Sequence, residues 1–60
     1  MYAIKLGNDY NGATIFLGAH DGQTTTAANA VTFDGLRVAT ANALRIRRTI
    51  NKYAEVVRFA

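Results

Sequence analysis

The chain contains no cysteine and no serine. Those two absences exclude disulfide staples, thiolate metal sites and two common side-chain nucleophiles, and they leave the redox compartment undetermined. Acids are scarce as well: Asp9, Asp21, Asp34 and Glu55 are the full set, and none is spaced as a paired-carboxylate or metal-binding motif. The single histidine, His20, stands beside Asp21 with no third member for a catalytic triad. His20 with Asp21 and Asp9 is the one set that could hold an ion, but a histidine next to Asp-Gly is more simply a turn residue. Gly7, Gly12, Gly18, Gly22 and Gly35 match neither a dinucleotide fingerprint nor a P-loop, and each has a turn or terminus to explain it. An enzyme is therefore not expected, nor a cofactor, nor a metal. No apolar run approaches about 18 residues, so no membrane span is expected. The start lacks a basic region followed by an apolar one, so no secretory signal is expected either, and the protein is read as cytoplasmic.

What is present is enough for one domain, residues 1–60, with no repeat, linker or low-complexity tract. Half of the residues are hydrophobic (50%) and only 18% are charged, which favours a folded domain over a disordered tail. A chain this short buries only about 60% of the surface its unfolded form exposes, so stability is expected to be marginal. With no disulfide available, a partner or self-association is the natural supplement.

The organising stretch runs from Asp34 to about Lys52 and reads as the only helix. At 100° per residue, Leu36, Ala39, Ala43, Ile46 and Ile50 fall in an arc of about 80°, the expected core face. Arg37, Arg45, Arg48 and Lys52 fall in a second arc of about 80° on the other side, with Ala41 among them and Arg47 flanking. Asp34 is the expected N-cap, with Phe33 stapled onto Val38. Asn51 is the expected stop, because asparagine tolerates the left-handed conformation at a helix end.

Tyr2, Ile4 and Leu6 alternate with Ala3 and Lys5 as a strand that Gly7 ends. Asn8 to Gly12 supplies turn chemistry, with Asn11-Gly12 suited to positive φ. Ala13 to Ala19 reads as a second strand, Ile15 and Leu17 facing one way, Thr14 and Phe16 the other. Phe16 then faces away from the helix, as an ordinary half-exposed residue or as the seed of a partner patch. Gly18 to Asn29 reads as a loop of about twelve residues whose threonines suit phosphate or a partner's backbone, or as a plain connector. Ala30 to Phe33 adds a short extended piece. Tyr53 to Phe59 reads as a strand with Tyr53, Val57 and Phe59 buried and Glu55 near an edge or paired to a base. The fold class is α+β: a two-layer ββαβ unit, an antiparallel sheet packed against one helix, with the first strand at its centre.

Charge is divided unevenly along the chain. Met1 to Phe33 sets Lys5 against Asp9 and Asp21, whereas Asp34 to Ala60 sets six bases against two acids, so the halves carry −1 and +4 of the net +3. A cationic second half suits an anionic partner, or is simply a solvated face. The layout of a Tyr2 to Leu6 opening hairpin, Ala30 to Asp34 leading into one helix, and a closing Val56-Val57 strand resembles the small accessory proteins of bacteriophages and mobile elements, among them anti-CRISPR and other anti-defence proteins. The likeness is architectural and covers the whole chain. It implies a non-enzymatic inhibitor or modulator that occupies a surface of a host protein or nucleoprotein in the host cytoplasm. Two further readings stand beside it. Arg37, Arg45, Arg47, Arg48 and Lys52 could bind nucleic acid directly through phosphates. The chain could also form a homodimer, better through its sheet than through helices whose Arg37 and Arg48 would repel.

Overall fold

The computed structural model, which describes residues 1–59, is a four-stranded antiparallel sheet with one helix on one of its faces. The elements are β1 (Tyr2–Asn8), β2 (Thr14–Leu17), β3 (Gln23–Thr24), α1 (Leu36–Thr49) and β4 (Glu55–Arg58). The sheet order is β3-β2-β1-β4, so β1 is interior, as a helical crossover between β2 and β4 requires.

The β1–β2 turn is built by Asp9, whose carboxylate accepts from the backbone N–H groups of Asn11 and Ala13, each at 2.9 Å. Gly12 takes φ 88° at its exit, a conformation costly for any residue with a Cβ. Gly7 does not end β1. It forms a bulge at φ 148°, where the register slips between Lys5 and Gly7, and the strand continues to Asn8.

The Gly18 to Asn29 stretch is not a structureless loop. It folds into a left-handed turn at Ala19–Asp21 and a single 3-10 turn at Ala27–Asn29 around β3, which pairs Thr24 with Phe16 and Gln23 with Leu17. A two-residue strand of polar side chains has no apolar alternation to announce it. Beyond it, Val31 N–H donates to the Leu17 carbonyl at 3.0 Å, and Phe33 exchanges two backbone bonds with Tyr2 at 2.8 and 2.9 Å.

The buried core comprises Ala3, Ile4, Leu6, Leu17, Ala39, Ala43, Ile46 and Ala54, with Ile15, Phe33 and Val56 packed against its larger cluster. The helix contributes only Ala39, Ala43 and Ile46. Leu36 and Ile50, expected on the same face, are 54% and 47% exposed. Leu36 sits on the first turn at the margin of the arc. Ile50 is the C-cap at φ −124°, ψ −50°, where the 100° count no longer applies.

The helix start also differs from expectation. The N-cap is Gly35 and makes no side-chain cap bond, so Asp34 stands one residue too early, and Val38, 54% exposed, is not stapled under Phe33. At the other end the helix stops at Thr49. Asn51 still closes it, without a left-handed backbone: its N–H donates to the Ile46 carbonyl at 2.9 Å, while its side chain ties the end to its neighbours, Nδ2 donating to the Leu6 carbonyl at 3.1 Å and Oδ1 accepting from Tyr53 N–H at 2.8 Å.

The faces of β4 are the reverse of those expected. Ile4 pairs with Val56, and Ala54 is buried beside it, so these residues face the helix, whereas Tyr53 lies in the preceding turn and is 71% exposed. Glu55 is paired as anticipated, with Lys5 Nζ at 4.0 Å, on the sheet's second face. On that face Phe16 and Phe59 meet edge to face, ring centroids 5.3 Å apart. Phe16 flanks β1 at Lys5 and Phe59 flanks it at Met1, so the rings reach across the strand at Ala3, which is completely buried. An aromatic pair of this geometry adds about 0.5–1.5 kcal/mol beyond area burial.

Ile46 is fully buried at the centre of the helix face. Ile46→Ala is expected to lose about 2–5 kcal/mol of unfolding free energy. Leu36→Ala, at an exposed position, is expected to stay within about 0.5 kcal/mol. Urea titration followed by circular dichroism compares the two, and equal losses would refute the helix orientation described above.

Candidate functional site

The basic residues named from the sequence do not form one stripe, because the fold gives them different work. Arg45 reaches from the helix to the left-handed turn after β2 and forks onto Asp21, Nη1 to Oδ2 at 2.9 Å and Nη2 to Oδ1 at 3.1 Å. This is the bidentate geometry for which guanidinium is suited. The hydrogen bond from Arg45 is the main cause holding the Asp21 carboxyl below its ordinary value of 3.8, and the same bond holds the Arg45 guanidinium charged to higher pH than usual. The anchored turn is backbone-strained: His20 and Asp21 sit consecutively at φ 57° and 59°. A left-handed residue with a Cβ costs roughly 1–2 kcal/mol, so the turn needs such an anchor.

Arg47 is also engaged, its Nε donating to the Ala54 carbonyl. Lys52 is not on the helix at all. It lies in the turn before β4, with its Nζ 5.2 Å from the Tyr53 ring centroid. Arg37 and Arg48 remain on the outward helix face, exposed and without an ion-pair partner among the described residues. Their separation along the axis is about 16 Å. Leu44, 43% exposed, lies between them, and the three side chains share an arc of about 40°.

The site is therefore a helix face with an apolar centre and two free guanidinium groups. Arg58 was not among the sequence candidates, yet it is exposed at the end of β4. It shares the helix-facing side of β4 with Ala54 and Val56 but stands at the strand's end, opposite Tyr2, where it stays in solvent.

The threonine-rich stretch is less available than its composition implies. The Thr24 hydroxyl accepts from Thr26 N–H at 3.1 Å and lies 3.5 Å from the Thr26 carbonyl. A shallow cleft of about 340 Å³ lies beside it, lined by Gly18, Ala19, Gly22, Gln23, Thr24 and Asn29. None of those residues is ionisable. Among the described residues no group of three or more His, Asp or Glu side chains is placed to hold a metal ion. Among the described residues no helix is long and apolar enough to cross a membrane.

No protein family, no curated protein and no solved structure matches this chain.

The Arg45 fork carries a pH dependence of definite sign. Because the folded-state pKa of Asp21 is lowered, the latch contributes fully above the ordinary value of 3.8 and is lost as pH falls below it. Asp21→Asn is expected to loosen the turn at neutral pH, seen as faster amide exchange at Gly18 and Gly22, whose N–H groups donate within it at 2.9 and 3.0 Å. Unchanged exchange at both amides would show that the turn holds without Arg45.

Proposed function

We propose that this chain is a non-enzymatic binding protein of the anti-CRISPR or anti-defence kind, which occupies a working surface of a host protein or nucleoprotein in the host cytoplasm. The observation that carries this reading is the outward helix face, where Leu44 stands exposed between Arg37 and Arg48. A solvated face gains nothing from a half-exposed leucine, whereas a protein interface uses an apolar anchor ringed by arginine. The residue inventory, without serine or cysteine, agrees with inhibition by occupancy.

Direct nucleic-acid binding is the second reading, supported by the two free guanidinium groups about 16 Å apart. It is weakened by the engagement of Arg45 with Asp21 and of Arg47 with Ala54, which leaves fewer free phosphate anchors than the charge count suggests. Phosphate contacts of that number give weak, strongly salt-dependent affinity.

Expression in bacteria that restrict a phage through CRISPR or other immunity is expected to raise the plating efficiency of that phage. Exchanging Arg37 and Arg48 together for Glu is expected to abolish that rescue while shifting unfolding by no more than about 0.5 kcal/mol per site. A parent chain that leaves plating unchanged against every immune system tested would remove the reading. A double variant that rescues as well as the parent would remove the helix face as the surface. A salt titration with duplex and single-stranded DNA decides the second reading, which fails if no affinity is present at low ionic strength.

A further inference from the structure

The outer edge of β4 is unpaired among the described residues, since β4 is the last strand in the sheet order. Which of its backbone groups are free follows from the register. Phe59 N–H donates to the Met1 carbonyl at 2.7 Å, and Tyr2 turns its own N–H and carbonyl to Phe33 on the opposite side. In an antiparallel pair the bonded positions alternate, so Glu55, Val57 and Phe59 bond to β1 and Val56 and Arg58 direct their N–H and carbonyl groups outward. Ala54 has the same outward phase but is already satisfied, its carbonyl by Arg47 Nε and its N–H by the Asn51 carbonyl at 3.1 Å. The open stretch thus begins immediately after an arginine and ends on one.

The Arg47 contact also fixes which flank of α1 overhangs this edge. Leu36 and Leu44 lie within about 60° of Arg47 around the helix. They are 54% and 43% exposed, two apolar side chains above unsatisfied backbone with exposed Thr40 between them. Glu55 adds no negative charge to the edge, because it faces the other side of the sheet and pairs with Lys5.

We infer that this edge takes an extended acidic segment of a partner protein as a fifth strand, with carboxylates meeting Arg47 and Arg58 and an apolar side chain between them under Leu44. Backbone bonds at Val56 and Arg58 would hold the strand, and charge would select it. Ala54 and Arg58 are about 13 Å apart along the strand, so carboxylates four residues apart reach both arginines. A second copy of this chain is the poorer occupant, since antiparallel pairing would bring its own Arg58 toward Arg58 with no acid between them. The inference rests on the reading of the chain as a binding protein and names the partner chemistry for one of its surfaces.

The probe is the capped peptide Thr-Glu-Thr-Val-Thr-Glu-Thr, with the same peptide carrying Lys for Glu as its control. Titrated into the purified full chain, the acidic peptide is expected to bind at least about tenfold tighter than the basic one. The Val56 and Arg58 amide signals should move furthest and become protected from exchange. Arg58→Glu is expected to reverse the preference between the two peptides. Arg58→Pro, which removes an N–H that makes no bond in the fold, is expected to lose binding with the sheet intact, because proline is tolerated on an open edge. Equal binding of both peptides, or shifts at Arg37 and Arg48 with Val56 and Arg58 unmoved, would overturn the inference. So would sedimentation showing a dimer in which those two amides are already protected without peptide. Failure of the titration leaves phage rescue by the parent chain unaffected, whereas absence of rescue would remove the inhibitory reading without altering the amide shifts.

Discussion

Half of the buried core is alanine, and that constraint governs the molecule. Ala3, Ala39, Ala43 and Ala54 share the interior with only Ile4, Leu6, Leu17 and Ile46 as larger side chains. Ala43 on the helix packs in one cluster with the buried Ala54 on the sheet side, and side chains this small allow the layers to approach closely, so Ile4 and Ile46 can be enclosed completely by a short chain. The third helix position on that face has to be large, and Ile46 is. On the second sheet face the same economy recurs, because only a residue as small as Ala3 leaves room for Phe16 and Phe59 to meet across β1. A narrow core also explains what remains outside it. A helix that buries three positions of fourteen leaves Leu36, Val38 and Leu44 in solvent whatever their hydrophobicity.

This explains which parts of the fold were legible in the sequence. The alternation of Tyr2, Ile4 and Leu6, the turn chemistry around Asn11-Gly12 and the periodicity of Ala39, Ala43 and Ile46 are local signals that tertiary packing did not override. Misplaced features were those decided by distant neighbours. The Tyr, Val and Phe of the last strand suggested that its aromatic side was buried, but Tyr53 precedes the strand and Phe59 serves the second face, where its partner Phe16 lies 43 residues earlier. β3 is held by pairing with β2, and nothing in Gln23 or Thr24 signals that pairing. Asp34 had the right chemistry for a cap and the wrong position by one residue.

The candidate site was legible as composition but not as geometry. Helical phase placed Arg37, Arg45 and Arg48 on one side correctly. Helical phase alone does not reveal that Asp21, 24 residues earlier, folds back to neutralise Arg45. Lys52 falls outside the arc because the helix ends at Thr49, three residues short of it, and Arg47, a flank by helical phase, holds the Ala54 carbonyl. The difference between −1 and +4 for the two halves therefore overstates the field, since part of the positive half is paired with part of the negative one. Free positive charge concentrates instead on the outward helix face and along the β4 edge.

These two exposed regions and the limited core belong to one argument about stability. Folding must offset roughly 1–2 kcal/mol of backbone entropy per residue, and a core of eight side chains, half of them alanine, leaves little surplus. Ligands that bind only the folded chain stabilise it in proportion to the logarithm of their concentration over Kd. The apolar side chains left in solvent are those that would add buried area when a partner covers them. Leu44 belongs to the helix face and also borders the β4 edge, so occupation of either surface would draw on the same residue. In the proposed reading, stability and recognition are therefore coupled through α1: a change that buries Leu44 within the monomer would strengthen the fold and remove the apolar surface offered to a partner.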